Sequence, residues 1–368
     1  MYGTTDGGGA AGAGTVFKLT PPAAGQTAWT ESVLYSFFGG ADGGGSFASL
    51  MMDKTGALYG TTITGGDTGA GVVFKLTPPG AGQTAWTESV VYSFAGGSDG
   101  YDPWGAVIED SSGALYGTTT LGGDFAVGNV FKLTPPVDGQ GVWAETTLYS
   151  FTGGDDGGVP FAGLIQDQNG ALYGTTAGRG KGSDGVVFRL TPPAGGKGKW
   201  KETVLHAFRG GADGSSPAAA LIADSAGVLY GTTDGGATSH GTVFKLTPPT
   251  DGSNHWAETV LTRFQGGGFN GNGPWASVSQ DAAGALYGTL LAAGSSTFGS
   301  VFKLTPPAAG ATKWTRSVLS TFKAGQGGQF PYSNLVVGTN GTLYGTTFGS
   351  VNQKTGRADP GTVFQITQ

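Results

Sequence analysis

Residues 160–208 read PFAGLIQDQNGALYGTTAGRGKGSDGVVFRLTPPAGGKGKWKETVLHAF, and this stretch contains four short runs that are typical of β-strands. The first run (strand A) ends at Asp167, which opens an Asp-x-x-Gly turn closed by Gly170. The second (strand B) contains Leu-Tyr-Gly-Thr-Thr, and the third (strand C), Val-Val-Phe-Arg-Leu-Thr, stops at a Pro-Pro pair. The fourth (strand D) begins at Trp200 and alternates as a half-buried strand does. No segment shows a helical period, so the sequence predicts an all-β protein.

The same four runs recur along the whole chain at an interval of 57 residues. The Tyr-Gly-Thr motif of strand B marks the period, with its tyrosine at Tyr2, Tyr59, Tyr116, Tyr173, Tyr230, Tyr287 and Tyr344. The Val-Phe-(Lys/Arg)-Leu-Thr-Pro-Pro, Trp-x-Glu and Asp-x-x-Gly motifs follow in a fixed order. The chain is therefore a tandem repeat of one unit.

Four antiparallel strands in about 57 residues, repeated about seven times, are typical of β-propeller blades. A parallel β-helix fits less well, because its rungs are shorter and lack hairpin turns. We expect a single repeat domain, 1–368, with seven blades, and six blades plus an extra hairpin as the alternative. The expected blades are approximately 1–45, 46–102, 103–159, 160–216, 217–273, 274–330 and 331–368.

The phase of the repeat predicts an incomplete first and last blade. The chain begins in strand B and ends in strand C, which gives 26 strands in all. The A–B hairpin resembles the inner hairpin of NHL-type propellers, and this resemblance implies that strand A is innermost and strand D outermost. Unpaired terminal strands invite pairing with another chain, so self-association is one expected property.

Composition narrows the possible partners. The chain has 368 residues, 73 of them glycine, no cysteine and a net charge of −6. The glycines lack a collagen period, the absence of cysteine excludes disulfides, and the scattered basic residues make nucleic acid a poor partner. No apolar run is long enough to span a membrane, and the first residues do not read as a signal peptide.

The combination Leu-Tyr-Gly-Thr-Thr, Gly-Thr-Val-Phe-Lys-Leu-Thr-Pro-Pro and Trp-Thr-Glu-Ser-Val-Leu-Tyr-Ser-Phe resembles the GloVer (Gloeo/Verruco) tandem repeat. The resemblance covers essentially the whole chain. It implies a bacterial protein that is often exported and anchored at its C-terminus, and hence an extracellular or cell-surface location. It implies no activity for any residue, and no leader or anchor is recognisable in the sequence.

A catalytic site must break the repeat, so candidate residues are sought among departures from it. The three histidines, His206, His240 and His255, fall in different strands or loops without metal-ligand spacing. The Asp-x-x-Gly aspartates are interpreted as turn residues, and the Trp-x-Glu glutamates as a solvated strand face. We therefore predict no catalytic and no metal-binding residue, and lean towards a protein that is not an enzyme.

Two other sets of residues are candidates for binding a ligand. Strand A opens with residues of variable size that are expected at the mouth of the central channel, where they bind a ligand or fill the channel as core. The glycine-rich D–A loops beside them carry acids that suit weak calcium binding; no other cofactor is expected. The candidate residues are Phe47, Trp104, Phe161, Trp275 and Tyr332 (Ala218 occupies the remaining equivalent position), and Asp99, Asp102, Asp155 and Asp156.

The sequence thus favours a non-enzymatic extracellular or cell-surface repeat scaffold that mediates protein or surface interactions. A glycan-binding or glycan-active propeller that uses the aromatic mouth is one alternative. A structural protein that self-assembles through its terminal strands is another. Two unusual B–C loops, the basic loop 177–184 and the long loop 348–360, add further candidate surface.

Overall fold

The structure is a computed structural model of the 368-residue chain. It describes all residues except 24, 27, 138, 140, 179–183, 237–239, 252, 254, 265–272, 292–297, 324–327, 352–357 and 360. Most of the basic loop and of the long loop, together with Asn270 and Asn272 of the fifth D–A loop, therefore lie outside the described residues.

The 26 expected strands are present, in four classes. Strands A are short and span Met51–Met52, Ile108–Glu109, Ile165–Gln166, Ile222–Ala223, Ser279–Gln280 and Val336–Val337. Strands B span Tyr2–Thr5, Leu58–Thr62, Leu115–Thr119, Leu172–Thr176, Leu229–Thr233, Leu286–Leu290 and Leu343–Phe348. Strands C span Thr15–Thr20, Val72–Thr77, Asn129–Thr134, Val186–Thr191, Thr242–Thr247, Ser300–Thr305 and Val363–Ile366. Strands D span Thr30–Ser36, Thr87–Ser93, Ala144–Ser150, Lys201–Ala207, Ala257–Arg263 and Thr315–Thr321.

Each complete sheet is antiparallel in the order A-B-C-D, and the first sheet has the order B-C-D. In the last sheet strand B pairs with strands A and C, and also with an additional short strand, Gln329–Pro331. A two-stranded sheet, Ser350–Val351 and Ala358–Asp359, lies in the long loop, and a short 3-10 turn spans Ala194–Gly196. The fold is a β-propeller with seven blades, which confirms the all-β class and the seven-blade count.

The chain divides into two compact units. Unit 1 comprises Met1–Gly174 with Leu190–Thr203, and its core contains Phe74, Phe94 and Phe131. Unit 2 comprises Thr175–Arg189 with Val204–Gln368, and its core contains Phe302 and Tyr287. Within the described residues, no helix has the length and apolarity needed to cross a membrane.

The Asp-x-x-Gly turn between strands A and B is held by the aspartate side chain, as predicted. Asp110 Oδ1 accepts hydrogen bonds from the backbone N–H groups of Ser112 (2.8 Å) and Ala114 (3.1 Å). Its Oδ2 accepts one from the Tyr116 hydroxyl at 2.9 Å. Gly113 adopts a φ of 83°, which a side chain would disfavour. The tyrosine of the Tyr-Gly-Thr motif thus locks the turn that precedes its own strand.

The glycine of the same motif makes room for the phenylalanine of strand C. A Cβ atom added at Gly117 would lie 2.5 Å from Cζ of Phe131, and the same approach recurs between Gly60 and Phe74. Both rings are fully buried. Glycine inside a strand often marks such a close approach. The glycine of the motif is therefore required by the packing of the strand C phenylalanine.

Consecutive blades within a unit are joined by two recurring aromatic contacts. The phenylalanine after strand D packs edge-on against the strand C phenylalanine of the next blade, as for Phe94 and Phe131 with ring centroids 5.1 Å apart. The tyrosine of strand B meets the tryptophan of the next blade, as for Tyr116 and Trp200 at 6.4 Å. Edge-to-face pairs of this kind stabilise a fold beyond the area that they bury.

Candidate functional site

The segment before strand A has an unusual backbone. The residue before the proline has a positive φ in four repeats, at Asp102 (64°), Val159 (60°), Ser216 (54°) and Phe330 (56°). Positive φ is uncommon outside glycine, and strained backbone of this kind clusters at functional sites.

Hydrogen bonds to two other segments hold this conformation. The Asp102 N–H donates to the Ala70 carbonyl at 3.0 Å, in the B–C loop of the preceding blade. The Asp102 carbonyl accepts from the N–H of Thr120, which directly follows strand B, at 3.1 Å. These bonds therefore fix the direction in which the chain enters strand A. They also fix the position of the aromatic residue that follows the proline.

The strain at Val159 is open to measurement, because a β-branched side chain is least suited to positive φ. We expect Val159→Gly to raise the free energy of unfolding by about 1 kcal/mol, since the relieved strain exceeds the entropy that glycine adds to the unfolded chain. Chemical denaturation measures the change. The control is Val137→Gly in an exposed loop, which should not stabilise. A less stable Val159→Gly protein would show that the side-chain contacts of Val159 and the added chain entropy of glycine outweigh any strain relieved at this position.

In unit 1, the structure brings three of the predicted aromatic residues together, here named the unit 1 cluster: Phe47, Trp104 and Phe161. Phe47 and Trp104 stack with ring centroids 4.4 Å apart and an interplanar angle of 20°. Trp104 meets Phe161 edge-on at 5.8 Å. Phe47 keeps 40% of its surface exposed, so these residues do not form a closed core.

In unit 2, two equivalent residues, Trp275 and Tyr332, form the unit 2 cluster together with Phe348. Trp275 and Tyr332 are 5.7 Å apart, and Phe348 lies 6.2 Å from Tyr332. Tyr332 is 42% exposed. Ala218, at the remaining equivalent position, is buried and contributes no ring. Phe348 was not among the predicted residues; it is the last residue of the final strand B, and the equivalent position carries no aromatic residue in the other repeats.

Each cluster lies next to a partly buried aspartate. Burial raises the pKa of Asp102, and the neighbouring Trp104 indole opposes that shift. Burial also raises the pKa of Asp234, whose Oδ1 is buried without a hydrogen-bond partner among the described residues. The pKa of Tyr332 is raised by burial and by the nearby Asp234 charge. Asp102 is one of the predicted ligand-binding residues. Asp234 is an acid of a B–C loop that was not among them, although the motif Tyr-Gly-Thr-Thr-Asp occurs only there and at Asp6.

The acids of the Gly-Gly-x-Asp-Gly loops hold their own turns. Asp99 Oδ2 accepts hydrogen bonds from the Tyr92 hydroxyl (3.1 Å) and the Ala95 N–H (2.7 Å). Asp156 is buried and accepts the equivalent bonds from Tyr149 and Thr152. Asp155 is exposed. Asp99 and Asp156 therefore point their carboxylates at their own blades.

The Trp-x-Glu glutamates contradict the expectation of a solvated face. Glu88, Glu202 and Glu258 are partly buried, and Oε1 of each is buried without a hydrogen-bond partner among the described residues. Burial, and secondarily an aspartate of the preceding blade, raises the pKa of these three carboxyls to about 7. Glu145 is also partly buried, whereas Glu31 of the first blade is exposed as expected. The prediction failed because the glutamate turns towards the preceding blade.

The next possibility is a site formed by histidine together with acidic side chains. His206 replaces the tyrosine of its repeat and contacts Asp213 at 3.2 Å. Within the described part of the chain, no three histidine or acid side chains gather in a way that could hold a metal ion.

Unit 1 also contains a cleft of about 1200 Å³ between its third and fourth blades. Tyr116, Trp200 and Lys132 line it, together with Asp110 and Asp167 of the A–B turns. The Lys132 ammonium lies 5.2 Å from the centre of the Tyr116 ring. Both aspartates accept a tyrosine hydroxyl, so the polar groups of the cleft are largely engaged in the repeat's own contacts.

Comparison with solved structures gives matches at low sequence identity. A putative 6-phosphogluconolactonase from Bacteroides uniformis is 14% identical, with a TM-score of 0.57 over 99% of this chain and 98% of that one. A putative oxidoreductase (glucose dehydrogenase) from Thermus thermophilus is 16% identical, with a TM-score of 0.48 over 88% and 96% of the two chains. At this identity, the likeness to the Bacteroides uniformis structure concerns the fold alone. No curated protein matches the sequence.

The family comparison is specific. The Gloeobacter/Verrucomicrobia repeat matches residues 1–236 and 165–368, and the two matches together span the chain. The matched segments contain the motifs whose packing is described above. The chain belongs to the Gloeobacter/Verrucomicrobia repeat family.

Proposed function

We propose that the protein is a non-enzymatic binding scaffold, exported to the cell surface or beyond, that engages a partner protein through the unit 1 cluster. The observation that supports this most is the stacked, partly exposed pair of Phe47 and Trp104. Exposed aromatic rings on a rigid framework suit the apolar anchor of a partner. The positive φ of the residue before the strand A proline also favours this surface as the binding site, because strained backbone clusters at functional sites. The location is proposed from the family alone.

A peptide-display selection tests this proposal. A random peptide library is selected on the wild-type protein, and enriched peptides are measured by fluorescence anisotropy. We expect peptides with an aromatic or aliphatic anchor to bind Trp104→Ala at least tenfold more weakly than wild type. Phe125→Ala, which removes an exposed ring outside the cluster, should leave binding unchanged. Enriched peptides that bind wild type and Trp104→Ala equally would place the binding surface elsewhere.

Glycan binding is the second candidate function. It is favoured by the partly buried Asp102 beside the rings, because sugar rings stack on aromatic faces while their hydroxyls donate to carboxylates. A glycan array probed with wild type and with Asp102→Asn separates the two candidates. Hits that are lost in both Asp102→Asn and Trp104→Ala support it, and an array without hits contradicts it.

An enzymatic role would overturn the scaffold proposal. The likeness to a putative 6-phosphogluconolactonase makes lactone hydrolysis a suitable assay, although a likeness in fold gives no expectation of activity. Hydrolysis of a gluconolactone or of a polysaccharide by the wild type, abolished in Asp102→Asn, would show that the cluster is an active site.

A further inference from the structure

The unit 2 cluster differs from the unit 1 cluster in how its rings meet. The Trp275 and Tyr332 rings are tilted by 36° with centroids 5.7 Å apart, and the Tyr332 and Phe348 rings are tilted by 50° at 6.2 Å. Phe47 and Trp104 of unit 1 instead stack at 20° and 4.4 Å. Stacked rings cover each other's faces, whereas tilted rings leave much of each face open. The unit 2 cluster therefore offers ring faces to a ligand, and Phe348 is 46% exposed.

The backbone holds two of these rings side by side. Pro331 of the additional short strand is the antiparallel partner of Thr347 in the last strand B. Tyr332 and Phe348 each come one residue after this pair, and residues placed diagonally across a ladder are within reach of each other when their side chains are aromatic. The spacing of the two rings is thus set before a ligand arrives, which avoids the entropy cost of ordering them on binding.

Asp234 places a carboxylate beside the cluster. The Thr232 hydroxyl, near the end of strand B in the fifth blade, donates to the carbonyl of the residue after Trp275 at 3.2 Å. A Cβ atom added at Gly273 would lie 2.6 Å from Asp234 Oδ1, so the carboxylate lies against the backbone two residues before Trp275. Burial raises the pKa of Tyr332, and the Asp234 charge adds to that shift. Asp234 is therefore a neighbour of both aromatic residues.

The Asp234 carboxylate has no compensating charge. Its Oδ1 is buried without a hydrogen-bond partner among the described residues. Burial alone raises the pKa of Asp234, and no basic side chain opposes the shift. In unit 1, by contrast, the Trp104 indole opposes the corresponding shift at Asp102. A partly buried charge without a partner is costly, and a bound cation offsets that cost.

The chemistry of these groups favours one kind of cation. Aromatic faces attract cations, and quaternary ammonium groups are recognised in this way. A lysine ammonium carries three N–H donors that each need an acceptor, whereas a trimethylammonium group donates no hydrogen bond. The cluster supplies ring faces and a single carboxylate, which suits the second group.

We propose that the unit 2 cluster and Asp234 form a binding site for a trimethylammonium group, as in choline or the headgroup of a choline lipid. The methyl groups contact the ring faces, and the positive charge faces the Asp234 carboxylate. The proposal does not depend on the function proposed for the unit 1 cluster.

A choline titration of the full chain tests it. Binding is followed by broadening of the choline N-methyl signal in proton NMR spectra. We expect saturable binding, at least fivefold tighter than that of dimethylbutanol, the neutral analogue in which carbon replaces the nitrogen, because only choline carries the charge that the rings and Asp234 attract. This comparison uses the wild-type protein alone, so it does not depend on the folding of any variant.

Substitutions then locate the site. Asp234→Asn and Tyr332→Leu should each weaken choline binding at least fivefold. The matched controls Asp67→Asn and Phe38→Leu change an exposed acid and an exposed ring of unit 1, and should bind choline as wild type does. The proposal is overturned if wild type shows no saturable binding, if choline and dimethylbutanol bind equally, or if Asp234→Asn binds choline as tightly as wild type.

The source of the trimethylammonium group is decided by sedimentation with phosphatidylcholine vesicles. Co-sedimentation that free choline competes away, and that is weaker in Asp234→Asn, would support the site with a lipid headgroup as its ligand. Choline binding without co-sedimentation would support the same site with a free small molecule as its ligand.

Discussion

Gly117→Ala is expected to destabilise the protein by about 3 kcal/mol, although it adds one methyl group. The new Cβ would lie 2.5 Å from Cζ and 2.9 Å from Cε1 of Phe131. Phe131 has no freedom to retreat, because it is fully buried and packs edge-on against Phe94. One of the two strands must therefore shift, which weakens the sheet and the contact between blades. Chemical denaturation with circular dichroism measures the loss.

Two further variants test whether the loss of stability in Gly117→Ala comes from the steric conflict with Phe131 or from the change in the residue's conformational propensity. Gly97→Ala adds the same methyl group where nothing lies within 4 Å, and should change stability by less than about 0.5 kcal/mol. Gly117→Ala with Phe131→Leu gives the methyl group space, and should be more stable than expected from the sum of the single changes. A Gly117→Ala protein as stable as wild type would contradict the steric reason for the motif.

Stability is also expected to fall as the pH rises from 5 to 8, because of the three glutamates at blade junctions. Burial raises the pKa of Glu88, Glu202 and Glu258 from 4.5 to about 7 in the folded protein. The folded state then holds protons that the unfolded chain has released, so the stabilisation present below pH 4.5 is lost as the pH rises through 7. Since these side chains are partly exposed, we expect about 1 kcal/mol per site.

The triple variant Glu88→Gln, Glu202→Gln, Glu258→Gln should flatten this dependence and exceed wild type in stability at pH 8. A glutamine stays neutral, and its amide can donate to the aspartate of the preceding blade. Denaturation at pH 5 and 8 measures both effects. An equally charged control, Glu31→Gln with Asp6→Asn and Asp155→Asn, changes exposed acids and should keep the wild-type slope. Equal slopes in wild type and the glutamine variant would show that other groups set the pH dependence.

The sequence predicted the fold well because the repeat presents each local signal many times. The Asp-x-x-Gly turn, the Pro-Pro stop after strand C and the alternation after Trp200 each depend on near neighbours in sequence. The two terminal blades followed from the phase of the motifs. The predicted aromatic residues within each unit lie together because they occupy one position of the repeat.

The burial of the glutamates and the backbone strain before strand A could not be predicted from the sequence, because both depend on contacts between blades. Burial raises the pKa of Glu202 most, and Asp156, 46 residues earlier, adds to the shift. An exposed and a half-buried glutamate look alike within the sequence of a strand. The positive φ at Val159 is imposed by a bond to the Val127 carbonyl, against the preference of the residue. Asp234 became notable only through its burial.

The junctions between blades have a consequence for how such chains can change over time. Phe94 with Phe131 and Phe208 with Phe244 form nearly identical contacts, at 5.1 and 5.0 Å, in different units. A blade gained by duplication would therefore carry both phenylalanines of this contact, and could pack against the blade before it and the blade after it in the same way. Meanwhile the residue after the strand A proline varies between Trp104, Phe161 and Ala218 without touching those contacts. The repeated architecture can thus be duplicated as a whole while the residue after the strand A proline changes one blade at a time.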